Sequence, residues 1–159
     1  MFYHQTIGNA CGLYAALHAV SNGDAREFVE PQTPLADLIT QCLPLSLPQR
    51  SAVLESSAAL ERAHASVASR GATPVPEDIT VHPDFAYMTF TKTRRGGRLV
   101  QLEGCRKRPV DLDCVLGERE DMLSERALQA VKSFMEKEGK GVEVGYSAMA
   151  MCVGEEVGV

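Results

Sequence analysis

A cysteine near the start of the chain occupies a position where a thiol can react. Cys11 follows the stretch QTIGNA and directly precedes residues 13–20, whose apolar side chains repeat at helical spacing. A helix N-terminus presents unpaired N–H groups and partial positive charge, which favour a thiolate over a thiol. Gln5, six positions earlier, carries an amide that can donate a hydrogen bond to a developing oxyanion. The pattern suits a nucleophilic thiol, but taken alone it favours a small buried cysteine packed under a helix, because free cysteine is among the most buried residue types.

Composition and charge exclude several classes of protein. The chain has 159 residues, of which 45% are hydrophobic and 23% charged, as is typical of one globular domain. A net charge of -5 argues against a nucleic-acid partner, and no stretch approaches the length of a membrane span. The five cysteines are odd in number and not closely paired, which favours free thiols in the cytoplasm or nucleus over disulfides or a metal site.

Helical signals dominate the first half of the chain. The helix that contains residues 11–20 ends at the turn sequence SNGD, and Thr33 followed by Pro34 marks the start of another helix. The capping-box sequence SLPQ at 46–49 begins a helical stretch that we expect to continue to about Arg70. Residues 71–83 hold three prolines and few large apolar side chains, which predicts a long loop.

Strand signals dominate the second half. Residues 85–92 and 98–104 are rich in strand formers and are separated by TRRGG, which predicts a hairpin. An amphipathic helix then follows and ends at Gly139, and residues 142–153 are apolar enough to predict a central strand that is buried on both faces. Helices followed by mostly antiparallel strands indicate an α+β fold.

Three segments of this chain resemble the ubiquitin carboxyl-terminal hydrolase family, the papain-like thiol deubiquitinases. QTIGNACGLYAALHAV, at 5–20, is similar to the segment that carries the family's nucleophile. DFAYMTFTKTRRGGRLVQLEGCRKRPVD, at 84–111, resembles its hairpin, and LQAVKSFMEKEGKGVEVGYSAMAM, at 128–151, resembles its closing helix and strand. Residues 71–83 have the length of the family's crossover loop. The resemblance implies a single domain over residues 1–159, with an antiparallel sheet packed between helices and with the family's N-terminal segment missing before Gln5.

The resemblance assigns roles to four positions. Cys11 takes the place of the nucleophile, Gln5 that of the oxyanion stabiliser, and Glu103 that of the acid that orients a histidine. The histidine position itself falls on Ala86. A hairpin that turns near Arg95 would set residue 86 roughly opposite 105 and diagonal to 103, where an imidazole could meet the carboxylate but a methyl group cannot.

Other histidines are poorer candidates for the base. His82 lies four residues before position 86, about 13 Å away along an extended strand. His4 neighbours Gln5, but alternate side chains of an extended segment point in opposite directions. His18 and His64 lie on predicted helices, where packing or solvent contact explains them more simply.

The resemblance implies thiol-dependent hydrolysis of ester, thioester, amide or peptide bonds at the C-terminal glycine of ubiquitin, in ubiquitin-dependent protein catabolism. It implies ubiquitin or a ubiquitin-like protein as the partner, a monomer, and no cofactor or metal. Because position 86 is alanine, an alternative is a pseudoenzyme that binds ubiquitin with weak or no turnover. A third hypothesis is a remnant without function, because the N-terminal segment is missing.

Overall fold

Helices come first in this protein and strands follow them. The computed structural model describes residues 1–71, 86–139 and 145–152. Within these ranges the elements in chain order are α1 (Cys11–Val20), a short 3-10 helix (Asp24–Phe28), α2 (Pro34–Cys42), α3 (Leu47–Glu55), α4 (Ala58–Ala68), β1 (Thr89–Lys92), β2 (Arg98–Leu102), β3 (Val110–Val115) and α5 (Glu125–Glu138). The three strands form one antiparallel sheet in the order β1-β2-β3, which confirms the predicted α+β class.

The predicted helix starts are confirmed by their capping contacts. The Thr33 hydroxyl accepts a hydrogen bond from the N–H of Ala36 at 3.2 Å, and Pro34 occupies the first position of α2. Ser46 and Gln49 form the capping box of α3. The prediction of one helical stretch to Arg70 is wrong in one respect, because the stretch consists of two helices. The first, α3, ends at Glu55, and the Ser57 side chain caps the start of the second, α4.

The first four helices pack with the N-terminal segment around one apolar cluster. Its buried members are Tyr3, Ala10, Tyr14, Leu17, Leu38, Cys42 and Leu54. Arg50 on α3 ties the cluster together, because its guanidinium donates to the carbonyls of Cys42 at 2.9 Å and Phe2 at 3.1 Å. The start of the chain is therefore fixed against α2 and α3, and it in turn fixes the entry to α1.

The hairpin has the predicted turn but shorter strands. Thr89 pairs with Leu102 and Lys92 with Leu99, so paired residue numbers sum to 191 throughout the β1–β2 ladder. Residues 94–97 form the turn, in which Gly96 and Gly97 have φ angles of 80° and 61°. Residues 86–88, which were expected to belong to the strand, lie before its first paired residue.

A second apolar cluster joins the sheet to α5. It consists of buried Leu99, Leu116 and Ala127 with partly buried neighbours around them. The rings of Phe90 on β1 and Phe134 on α5 meet edge to face, with centroids 5.7 Å apart. On the other side, the Thr89 hydroxyl donates to the carbonyl of Ala15 at 2.6 Å, which joins β1 to α1. The sheet thus contacts helices from both halves of the chain.

The predicted central strand at 142–153 is wrong for the residues that the structure describes. Residues 145–152 have no regular secondary structure, and all of them are exposed. The Tyr146 hydroxyl donates to the carbonyl of Met135 at 3.1 Å, which holds this segment beside α5 instead of in the sheet. An apolar run becomes a central strand only when strands flank it, and no strand of the described ranges pairs with residues 145–152. Residues 142–144 and 153, and most of the predicted loop at 71–83, lie outside the described residues.

None of the helices in the three described ranges is both long enough and apolar enough to cross a bilayer.

His18 is a buried histidine that packs the N-terminal segment onto α1. It is fully buried, it stacks on the ring of Phe2 with centroids 5.3 Å apart, and its Nε2 accepts the N–H of Tyr3 at 3.0 Å. Its Nδ1 has no hydrogen-bond partner within the described part of the chain. Burial disfavours the charged imidazolium and lowers the pKa of His18 from 6.5 to about 4. The packing role expected from the sequence is confirmed.

We predict that His18 makes the fold sensitive to acid. The unfolded chain takes up a proton near pH 6.5 while the folded chain resists it until about pH 4, so stability falls as the pH is lowered through this window. The free energy of unfolding should fall by an amount on the order of 3 kcal/mol across this window. In urea unfolding from pH 7 to pH 4, His18→Gln should flatten this dependence, whereas His64→Gln on an exposed helix face should not change it. If the free energy of unfolding depended on pH equally in the wild type and in His18→Gln, this account would be contradicted.

The turn of the hairpin offers a matched pair of glycines. Both have positive φ angles, but a Cβ on Gly97 would lie 2.3 Å from the carbonyl oxygen of Leu116, whereas a Cβ on Gly96 would have nothing within 4 Å. Gly97→Ala should therefore destabilise the protein by about 3 kcal/mol, and Gly96→Ala by about 1 kcal/mol. Chemical denaturation measures both. Equal losses would show that residue 97 does not approach the end of β3.

Candidate active site

The thiol of Cys11 lies at the first residue of α1, as the sequence predicted. The N-cap residue is Ala10, whose side chain makes no capping hydrogen bond, and Cys11 is half-buried. Asn9 turns the chain into the helix through a left-handed backbone with φ of 52°. Because the Ala10 side chain cannot accept a hydrogen bond, the N-cap leaves the first backbone N–H groups of α1 uncapped. The partial positive charge of this helix end therefore acts on a negatively charged group beside Cys11.

Gln5 lies between the hairpin and α1. Its backbone N–H donates to the carbonyl of Gly104 at 2.9 Å, and the next N–H, of Thr6, donates to the hydroxyl of Tyr14 at 3.3 Å. These two bonds attach the segment before Cys11 to the end of β2 and to α1 at once. The Gln5 side-chain amide donates to the carbonyl of Ile7 at 3.3 Å, so its N–H group is engaged within its own segment.

Position 86 lies at the end of the hairpin where Gly104 contacts Gln5. The ring of Tyr87 approaches to 3.7 Å from the point where a Cβ on Gly12 would be, which places the residue after Ala86 against the residue after Cys11. The observed ladder ends at Thr89 and Leu102, so Ala86 lies three residues beyond the last pair, and residues 86 and 105 are not among the paired residues. Ala86 is exposed and has no group that can accept or donate a proton.

Glu103 has partners that the sequence did not predict. Its Oε2 accepts from Arg106 Nε at 3.0 Å and from Gln101 Nε2 at 3.2 Å. Gln101 is fully buried, its Nε2 also contacts the sulfur of Met88 at 3.2 Å, and its Oε1 has no hydrogen-bond partner among the described residues. The carboxylate at the acid position is therefore paired with a guanidinium.

Cys105 lies in the turn that follows β2, and its side chain is exposed. Partial desolvation raises the pKa of its thiol, and the negative charge of Glu103 raises it further.

The histidines do not replace the missing base within the described part of the chain. His4 Nε2 lies 3.3 Å from the carbonyl oxygen of Lys107, and its ring contacts Phe2 edge to face. His18 is buried beside Tyr3, and His64 is exposed on α4. None of these three hydrogen-bonds to Cys11 or Glu103, and His82 lies outside the described residues. No group of three His, Cys, Asp or Glu side chains that could hold a metal occurs in the described ranges.

The fold and the site together define a class, that of papain-like α+β domains with a thiol at a helix start beside an antiparallel hairpin. Comparison with known proteins agrees with this class. The family "Ubiquitin carboxyl-terminal hydrolase, family 1" matches residues 1–136. Ubiquitin carboxyl-terminal hydrolase isozyme L1 from Rattus norvegicus is 32% identical over 151 residues, and the human isozyme is 30% identical over the same length. The chain therefore belongs to the ubiquitin carboxyl-terminal hydrolase family.

A solved structure supports the same fold. The catalytic domain of Trichinella spiralis UCH37, solved bound to ubiquitin vinyl methyl ester, matches with a TM-score of 0.63 at 21% identity, covering 89% of this chain and 59% of that one. The alignments with both isozymes cover 95% of this chain and 63% of each isozyme. This chain thus spans less than two thirds of the length of these relatives.

The contact between residues 5 and 104 can be tested directly. A Cβ on Gly104 would lie 2.7 Å from the Cβ of Gln5 and 3.0 Å from its backbone nitrogen, so Gly104→Ala must push the Gln5 segment away from β2. We expect a loss of about 2 kcal/mol in the free energy of unfolding. Gly8→Ala, where a Cβ would meet nothing within 4 Å, should change it by less than about 0.5 kcal/mol. Similar values for the two variants would contradict the described site.

Proposed function

We propose that this chain binds the C-terminal segment of ubiquitin, or of a ubiquitin-like protein, at Cys11 and turns over its esters, thioesters, amides or peptides weakly or not at all. The observation that carries this proposal is Ala86, an exposed methyl group where the resemblance requires an imidazole. The thiol, the amide and the carboxylate positions are occupied by Cys11, Gln5 and Glu103. Among the described residues, the site therefore has those for thiol attack but none that is placed for proton transfer.

The retained residues support the first half of the chemistry. Cys11 is half-buried at the positive end of α1, where a thiolate that attacks a carbonyl carbon is favoured. Gln5 would stabilise the oxyanion by releasing Ile7 and turning its amide N–H groups toward the substrate. This attack forms a tetrahedral oxyanion, which becomes a thioester between Cys11 and the terminal glycine of ubiquitin only when the bond to the leaving group breaks.

The second half of the chemistry lacks its proton donor. An amide leaving group must be protonated as it departs, and water must be deprotonated to release the thioester. A helix N-terminus does neither, because its N–H groups are not acidic. Loss of one member of a catalytic triad costs on the order of 10⁴ to 10⁶ in turnover. Attack on an activated electrophile needs less assistance and should be retained.

The family relationship supports ubiquitin as the partner. The matching family and both isozymes are named as ubiquitin carboxyl-terminal hydrolases, and the structural relative was solved with ubiquitin vinyl methyl ester. Recognition of a folded partner uses a broad surface, so it survives the loss of one catalytic side chain. We place this function in the cytoplasm or nucleus, because none of the five thiols has a close-spaced partner in the sequence.

A second candidate is an active hydrolase in ubiquitin-dependent protein catabolism. The retention of Cys11, Gln5 and Glu103 at one end of the hairpin favours it, since a cysteine depends on its base less than a serine does. The two candidates differ in turnover, not in binding.

Reaction with ubiquitin that carries a C-terminal electrophile, such as a vinyl methyl ester, distinguishes them. We expect a covalent adduct at Cys11, found by intact-mass and peptide mass spectrometry, together with hydrolysis of a ubiquitin ester at least about 10⁴-fold slower than by a complete family member. Cys11→Ala should abolish the adduct, and Cys152→Ser, at an exposed site, should leave it unchanged.

Three other results would contradict the proposal in different ways. Ester hydrolysis at the rate of a complete enzyme would favour the second candidate and would require a base at a position other than 86. An adduct that persists in Cys11→Ala would move the reactive site to another thiol. Absence of both the adduct and measurable ubiquitin binding would show that the chain has no ubiquitin-directed function.

A further inference from the structure

Glu103 belongs to a chain of charged contacts that leads away from Cys11. Its Oε2 accepts from Arg106 Nε at 3.0 Å, and the Nη2 of the same guanidinium donates to Glu138 at the end of α5. The Glu103 and Arg106 side chains are 19% and 33% exposed, so this pair is more shielded than the other ion pairs in the described ranges. A partly shielded pair with good geometry holds its side chains more firmly than an exposed one.

The local backbone fixes Arg106 in this role. The N–H of Arg106 donates to the carbonyl of Glu103 at 3.0 Å, which closes a turn between the two residues. The turn places the guanidinium beside the carboxylate, and Gln101, two residues earlier on β2, donates to the same oxygen at 3.2 Å. Glu103 is therefore oriented by two donors, neither of which is a histidine.

An acid that orients a catalytic histidine has a different requirement. It must accept from the imidazole N–H and lend its negative charge to the imidazolium that forms during the reaction. A guanidinium at 3.0 Å offsets that charge, and its own positive charge disfavours a second cation nearby. The pairing observed here weakens the electrostatic support that an imidazole would receive.

We propose that Arg106 is the residue that has taken Glu103 out of the catalytic arrangement, so that a histidine restored at position 86 acts as a base only when Arg106 is also removed. This inference rests on the proposed function, because it concerns why the site lacks turnover. It makes Arg106 a positioning residue that acts through Glu103. The loss of function then involves two residues, Ala86 and Arg106.

The test compares ubiquitin-ester hydrolysis by Ala86→His, by Ala86→His/Arg106→Gln, and by the wild type. We expect Ala86→His alone to hydrolyse the ester no more than about threefold faster than the wild type. The double variant should be at least about tenfold faster than Ala86→His, which corresponds to one unit of restored imidazole pKa. The gain should be in kcat with KM unchanged, since Arg106 acts on the proton relay and not on ubiquitin binding.

Two control variants separate pairing from structure. Arg108→Gln in the Ala86→His background removes a nearby exposed positive charge, and it should not raise the rate. Glu138→Gln in the same background releases Arg106 from α5 but leaves it beside Glu103, and it should not raise the rate either. Thermal unfolding of each variant shows whether it is folded under the assay conditions.

Equal rates in Ala86→His and Ala86→His/Arg106→Gln, whether fast or slow, would overturn the inference about Arg106. An equal gain from Glu138→Gln would overturn it as well, because the tether to α5 would then be the cause. Fast hydrolysis by the wild type would instead overturn the proposed function, so the two failures are distinguishable.

Discussion

One backbone hydrogen bond underlies the arrangement of the site. The Gln5 N–H donates to the carbonyl of Gly104, and this contact joins the segment that leads into α1 to the segment that leaves β2. Cys11 lies with the helical cluster, whereas Glu103 follows the sheet that packs on α5, and this bond acts together with the Thr89–Ala15 hydrogen bond to join the two parts. The close approach also explains Gly104, because any side chain there would collide with Gln5.

The end of the hairpin near Cys11 differs in its chemistry from what the family resemblance implies. Ala86 holds the position expected for the base, and Arg106 and Gln101 hold the carboxylate that would have oriented it. These features fit a thiol that can react with an activated partner but cannot complete a hydrolytic cycle. The fold remains that of the family because its apolar clusters do not involve these residues.

Local signals in the sequence predicted the elements well. Thr33, Ser46 and the paired glycines of the turn each act through contacts within a few residues, so their patterns were sufficient to locate helix starts and the hairpin. The segment at 145–152 was predicted wrongly because its apolar pattern describes a strand only if neighbouring strands exist. The partners of Glu103 could not be predicted either. A carboxylate and a nearby arginine pair only when a turn such as that at 103–106 brings them together, and this depends on backbone geometry.

The most direct test of the central claim is the proximity of position 86 to the Cys11 sulfur. Ala86→Cys in a Cys105→Ser background, treated with a short bifunctional thiol reagent, should give an intramolecular crosslink to Cys11 that peptide mass spectrometry identifies. Arg95→Cys, at the opposite end of the hairpin, should give no such crosslink. A crosslink from position 95 but not from position 86 would show that the alanine does not face the thiol, and the explanation of the missing base would then be wrong.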